Sequence, residues 1–230
     1  MIACTVCGTE NDELAVVCVS CKSFLQMKVD NLNLFATLWG LMESPKSTLR
    51  KIVLARHKNY AYVLPLLFGI ALVYAFFWYR NFGARFYDLA SLIAAGLVVG
   101  PLAGLAFALV FSFVTQRVGR LLGGKGTFRN VFAVTSYAAT PIVYSLVFVF
   151  PIEVAVFGVY FFGNNPPPLV IQPVIYVILL VFDGAALLWT FILLTEGTAI
   201  AIHLTRAKAV ILTSVMIGLT GLAAYALKSV

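Results

Sequence analysis

Five stretches of this chain are too long and too apolar to be left in water. They cover residues 60–79, 89–115, 131–162, 174–195 and 209–227. A helix crossing the roughly 30 Å hydrocarbon core of a bilayer needs about 20 mainly apolar residues, and each stretch qualifies. A soluble fold is not an alternative home for them. The chain is 62% hydrophobic and only 11% charged, where a soluble domain carries about 25% charged residues. So few charges cannot clothe so much apolar surface. The expected fold is therefore an all-α polytopic membrane protein with about five transmembrane helices. The third stretch is overlong and holds Pro141 and Pro151, so it is expected to kink, tilt or begin along the surface.

Ahead of the apolar stretches lies a segment of different chemistry. All four cysteines fall within the first 21 residues, as Cys4-x-x-Cys7 and Cys18-x-x-Cys21. Each pair suits a tight turn, and two such turns place four thiolates tetrahedrally around one Zn²⁺. Two disulfides would use the same residues, but paired CxxC units with nothing else between them favour the metal. Gly8, Asn11 and Asp12 suit the turn leading away from the first pair, and 14–17 is an apolar run expected as a strand. Residues 1–28 then form a small Cys4 zinc ribbon, a closed structural site with almost no core beyond its metal. Zinc thiolates belong in a reducing compartment, which places the N-terminus in the cytosol. The start of the chain shows no cleavable signal pattern.

Residues 29–58 read as an interfacial and linking segment before a membrane domain at 59–230. Leu34, Phe35, Leu38, Trp39 and Met42 belong to an apolar piece too short to cross a membrane. Ser44-Pro45 then signals a helix start. Leu49, Ile52 and Val53 share one side of that helix, among Lys46, Arg50, Lys51, Arg56 and Lys58. Such a helix can lie on an anionic leaflet; a solvated helix packing on the ribbon is the alternative.

The net charge of +7 points to anionic lipid rather than nucleic acid, because the basic residues flank apolar spans. Arg117, Arg120, Lys125 and Arg129 follow the second span, and Arg206 and Lys208 follow the fourth. Together with the basic N-terminal segment they hold most of the 16 Lys and Arg. The positive-inside rule then sets the N-terminus in the cytosol and the C-terminus on the opposite side, with a plasma membrane as the expected location.

Within the spans, Gly96, Gly100 and Gly104 recur every four residues and share one helix face. That face allows close helix packing, within the chain or between protomers of a homo-oligomer. Asp183 falls near the middle of the fourth span, where a charge costs roughly 2.5–3.5 kcal/mol even on permissive scales. It must be neutralised, paired, hydrogen-bonded or beside water. Ion coupling and a structural hydrogen bond to a neighbouring Tyr, Ser or Thr explain it equally well. Glu153 in the third span and Glu196 at the end of the fourth read more simply as structural or interfacial. No enzyme signature is present: the two histidines, His57 and His203, are far apart, and the glycine-rich loop 123–127 lacks Walker spacing.

Three segments carry a family resemblance. They are Ser44-Pro45-Lys46-Ser47-Thr48-Leu49-Arg50 before the first span, the loop Gly123-Gly124-Lys125-Gly126-Thr127-Phe128, and Tyr137-Ala138-Ala139-Thr140-Pro141 opening the third span. In these the chain resembles the Yip family of Ypt/Rab-interacting membrane proteins, from about Leu32 onward. The resemblance implies five helices and a cytosolic N-terminus, and in eukaryotic relatives small-GTPase binding and vesicle traffic. An Asp-Leu-Tyr-Gly-Pro-like segment is absent here and a cysteine ribbon is added, which looks more like the prokaryotic branch. Two functional readings follow. One is a non-enzymatic membrane adaptor whose ribbon recruits a cytosolic protein. The other is a small transporter, channel or lipid translocator with Asp183 in its path.

Overall fold

The computed structural model describes residues 1–12, 14–25 and 31–228. It divides into two compact units, Met1–Asn59 and Tyr60–Val230; residues 26–28 of the expected ribbon and 29–30 of the linking segment lie outside the described residues.

The first unit opens with two cysteine turns built alike. Strand β1 (Ile2–Ala3) pairs antiparallel with β2 (Glu10–Asn11), and Cys4 and Cys7 sit in the turn between them. Around Cys18 and Cys21 an antiparallel bridge joins Val17 to Phe24. The expected strand over 14–17 is therefore reduced to its last residue, because the chain's pairing is spent within each turn. The repeat extends to atoms. The Cys4 amide bonds to the Thr9 carbonyl at 3.0 Å, and the Cys18 amide to the Ser23 carbonyl at 2.9 Å. Gly8 and Lys22, each just after its second cysteine, both have positive φ, 70° and 59°. Glycine adopts that conformation without penalty and lysine does not. Lys22→Gly should therefore raise the thermal stability of the metal-loaded module, by about 0.5–1 kcal/mol; a loss of stability would show that the lysine side chain is needed there.

Helix α1 (Leu34–Glu43) starts on the Asn33 side chain, which accepts from the Ala36 amide, and α2 (Pro45–Leu54) follows after Ser44 alone. Gly40 of α1 lets Thr48 of α2 come close, and Lys58 donates to the Ile52 and Val53 carbonyls at 2.7 and 3.0 Å. A cation there satisfies carbonyls that the helix end leaves open. Leu49, Ile52 and Val53 are buried. The apolar side of α2 is thus packed against protein. The exposed apolar side chains belong to α1 instead: Phe35, Trp39 and Met42, at helical spacing.

The second unit is helical throughout. After α3 (Val63–Tyr79) come α4 (Leu89–Leu121), α5 (Phe128–Ala138), α6 (Thr140–Tyr144) and α7 (Phe150–Phe157). A short α8 (Pro168–Ile171) then leads to α9 (Pro173–Ile202) and α10 (Arg206–Lys228). Four helical stretches among the described residues are long and apolar enough to cross a membrane: Leu89–Leu121, Phe128–Phe162, Pro173–Ile202 and Arg206–Ala226. Helix α3 has 17 residues, at the lower edge of what spans. Helix α4 extends past the expected end at 115. At 33 residues it is about 50 Å long, well beyond the hydrocarbon core. Arg117 and Arg120 therefore lie on its last turns and not in the loop where the charge pattern had placed them.

The third span is one continuous helical path from α5 to α7, kept going around two prolines. Pro141 cannot donate to the Tyr137 carbonyl, and Thr140 Oγ1 donates to it instead at 2.6 Å. Between Pro141 and Pro151 the helix widens into a π turn at Ser145–Val149, the local irregularity that Pro insertion invites.

Helices α3 and α4 pack through glycine. A side-chain atom at Gly100 would stand 2.6 Å from the Ile70 Cα. Gly96 makes room for the Tyr74 ring, whose hydroxyl donates to the Ile93 carbonyl at 2.8 Å. The Gly96, Gly100 and Gly104 face is thus occupied by α3 of the same chain.

Candidate metal centre and intramembrane cavity

The two cysteine turns bring their sulfurs together. Cys4 Sγ lies 3.6 Å from Cys21 Sγ, and Cys7 Sγ 3.5 Å from Cys18 Sγ. All four sulfurs lie within 4.8 Å of one another, and none is in a disulfide. Metal–sulfur bonds of about 2.3 Å in a tetrahedron put the sulfurs about 3.8 Å apart. The spacing fits one four-coordinate metal ion. The Thr9 hydroxyl and then the Thr9 amide stabilise the Cys7 thiolate, bringing that thiol down to about 6. Ser23 and the Cys7 and Val6 amides lower Cys4 in the same direction. Thiolates are the metal-binding form, so these contacts prepare the site.

Asn11, expected as a turn residue, does more. It is buried; its Oδ1 accepts from the Val19 amide at 2.9 Å and its Nδ2 points to Cys18 Sγ at 3.6 Å. One side chain on the first turn thereby orients a ligand of the second, as outer-sphere groups do. Nothing in the spacing of the cysteines announces that role.

In the helical unit, the loop after α4 is a seam rather than an open cradle. The Lys125 amide donates to the Ile202 carbonyl at 2.8 Å, and Lys208 Nζ to the Leu122 carbonyl at 2.9 Å. Gln116 Nε2 and an Arg120 nitrogen donate to the Gly126 carbonyl, at 3.1 and 3.4 Å. A side-chain atom on Gly126 would stand 2.8 Å from the Ile202 Cα. The glycines let this loop lie against the end of α9. Gly126→Ala should lower the unfolding temperature in detergent, with an overpacking cost of about 1–3 kcal/mol; an unchanged value would show that the seam yields freely. Arg206 Nε pairs with Glu196 Oε1 at 3.2 Å across the α9–α10 turn, and Arg117 stacks over the Phe113 ring at 4.8 Å.

Asp183 and Glu153 meet. Both line a cavity of about 290 Å³ between α3, the third span and α9, close enough to interact with each other. Ser145, the first residue of the π turn, donates to Asp183 Oδ1. Glu153 is 3% exposed, and its Oε1 has no hydrogen-bond partner. It is buried inside the helical unit, beside Asp183. Ser145 was not legible as a partner, although the two prolines bracketing it were. Gly96, Gly100 and Gly104, by contrast, serve the helix contact and approach neither site.

The Yip1-domain family model matches residues 39–227. That span is most of the chain and takes in α2, the glycine seam and all the long helices. The chain belongs to the Yip1-domain family. No curated protein and no solved structure matches it. As a Yip1-domain protein it is an integral, multi-pass membrane protein, and the cysteine turns at 1–25 stand ahead of the region the family model covers.

Proposed function

We propose that this Yip1-domain protein is a non-enzymatic membrane adaptor whose zinc-loaded N-terminal ribbon recruits a cytosolic protein. The observation that carries the reading is the four-sulfur cluster: a rigid module on a chain that otherwise lives in lipid. Closed Cys4 zinc sites have no open position for chemistry, so what they offer is shape. The N-terminus faces the cytosol and the C-terminus the opposite side, with α3 as a fifth span. Arg50, Lys51, Arg117, Arg120, Lys125 and Arg129 meet anionic headgroups, helped by the exposed Phe35 and Trp39 of α1. Removing residues 1–28 should abolish the protein's native association while leaving it in the membrane. An association unchanged by that deletion would sink the adaptor reading.

A second reading, a small transporter, is favoured by one observation: two facing carboxyls in a cavity beside a π turn. Its test is solute flux into vesicles, which should fall in Asp183→Asn.

A further inference from the structure

Two acidic side chains share the cavity between α3, the third span and α9, and the residues lining it include no Lys, Arg or His. The neighbouring donors are already engaged. Ser145 gives its hydroxyl proton to Asp183, Tyr74 gives its own to the Ile93 carbonyl, and Trp78 Nε1 donates to the Tyr176 hydroxyl at 3.3 Å. Glu153 Oε1 is left buried with nothing to accept from. A buried carboxyl oxygen with no donor is costly in any protein and more so in an apolar bundle, and the group beside it, Asp183, is a second carboxyl rather than a counter-ion. Something positively charged, or bearing a proton, completes the site.

The rest of the wall says which kind of cation fits. A hard metal ion asks for six or more oxygens in close contact, and the cavity offers two carboxyls and one engaged hydroxyl. Its other surfaces are aromatic or aliphatic. Tyr74 and Phe150 are stacked at 4.4 Å, and Trp78 also lines the cavity. Carboxylates beside aromatic rings suit a cation that is itself partly apolar. The volume of about 290 Å³ lies near the lower end of small-ligand sites, about 300–1,000 Å³.

We infer that this cavity is a binding site for an organic ammonium ion, held between Glu153 and Asp183 against the rings of Tyr74, Trp78 and Phe150. The inference deepens the transport reading by naming the ligand class, yet it concerns binding and stands without flux. The ammonium group can come from a free amine or from an amine-bearing lipid headgroup; both present the same chemistry to the cavity.

The test uses the full chain in nanodiscs of phosphatidylglycerol, with radiolabelled n-butylammonium as the probe. Saturable binding at one site per chain is expected, weakened about thirtyfold or more in Glu153→Gln, as when one partner of a buried charge pair is lost. Asp183→Asn and Ser145→Ala provide the same reading should Glu153→Gln not yield folded protein. Competition by phosphatidylethanolamine placed in the nanodisc would identify a lipid headgroup as the source, and its failure to compete a soluble amine. Absence of saturable binding overturns the inference. So does binding equal in all three variants, or displacement by sodium or calcium as effective as by amines. Vesicle flux is scored separately: binding without flux removes transport alone, and Asp183-dependent flux of another solute without amine binding removes this inference alone.

Discussion

In Gly104→Leu, the contact between α3 and α4 should be lost and the helical unit should become far less resistant to unfolding. Gly104 lies against the backbone of Pro65 and Gly69, and a side-chain atom at that position would overlap both. The neighbours are main chain, so no flexible side chain can swing away. In lipid, helices gain little from hydrophobic exclusion of one another and depend on this intimacy of packing. A leucine would force the axes apart, undo the fit of Gly69 and Gly100, and pull the Tyr74 hydroxyl from the Ile93 carbonyl. The expected cost is about 3 kcal/mol or more, at the upper end of overpacking penalties. Thermal unfolding in detergent reads it, with Gly218→Leu beside it. Nothing lies within 4 Å of where a side chain at Gly218 would begin, so that variant should unfold close to wild type. Equal effects at the two positions would show that the α3–α4 seam does not hold the bundle.

The second large effect is expected from removing the metal. A strong chelator, or Cys18→Ser, should unfold the cysteine module and leave the helices of Tyr60–Val230 intact. Cys18 is fully buried, and its sulfur meets both Cys7 and the Asn11 amide. Apart from its four sulfurs, the module has among its described residues two-residue strands and a single bridge, too little to fold on. Apparent zinc-binding free energies for such sites run to about 10–16 kcal/mol near neutral pH, and that energy is the folding energy. Proteolysis should then cut within residues 1–25 while the helices of Tyr60–Val230 keep their circular dichroism, since they form a unit of their own. A module that resists protease without metal would contradict the reading.

The apolar windows were legible because a bilayer-spanning helix is announced by composition and length alone. Their ends were less so. Helix α4 continues through Gln116, Arg117 and Arg120 because nothing in those residues stops a helix, and the chain turns only at Gly123, with φ of 92°. The cysteine pairs identified their own site by spacing. Asn11 did not identify itself, since orienting a ligand across two turns depends on where the turns meet. The α2 stripe of Leu49, Ile52 and Val53 is buried, and period alone cannot say whether such a stripe faces lipid or protein. Asp183 drew notice by its depth, but Glu153 and Ser145 became its companions only through the widened turn between Pro141 and Pro151.

The most direct measurement of the central claim is native mass spectrometry of the protein extracted gently from its own membrane. The account predicts one zinc ion per chain and a bound protein partner that disappears, together with the zinc, when Cys4 and Cys7 are replaced by serine. A chain that carries no metal, or a partner retained unchanged by the serine variant, would contradict it.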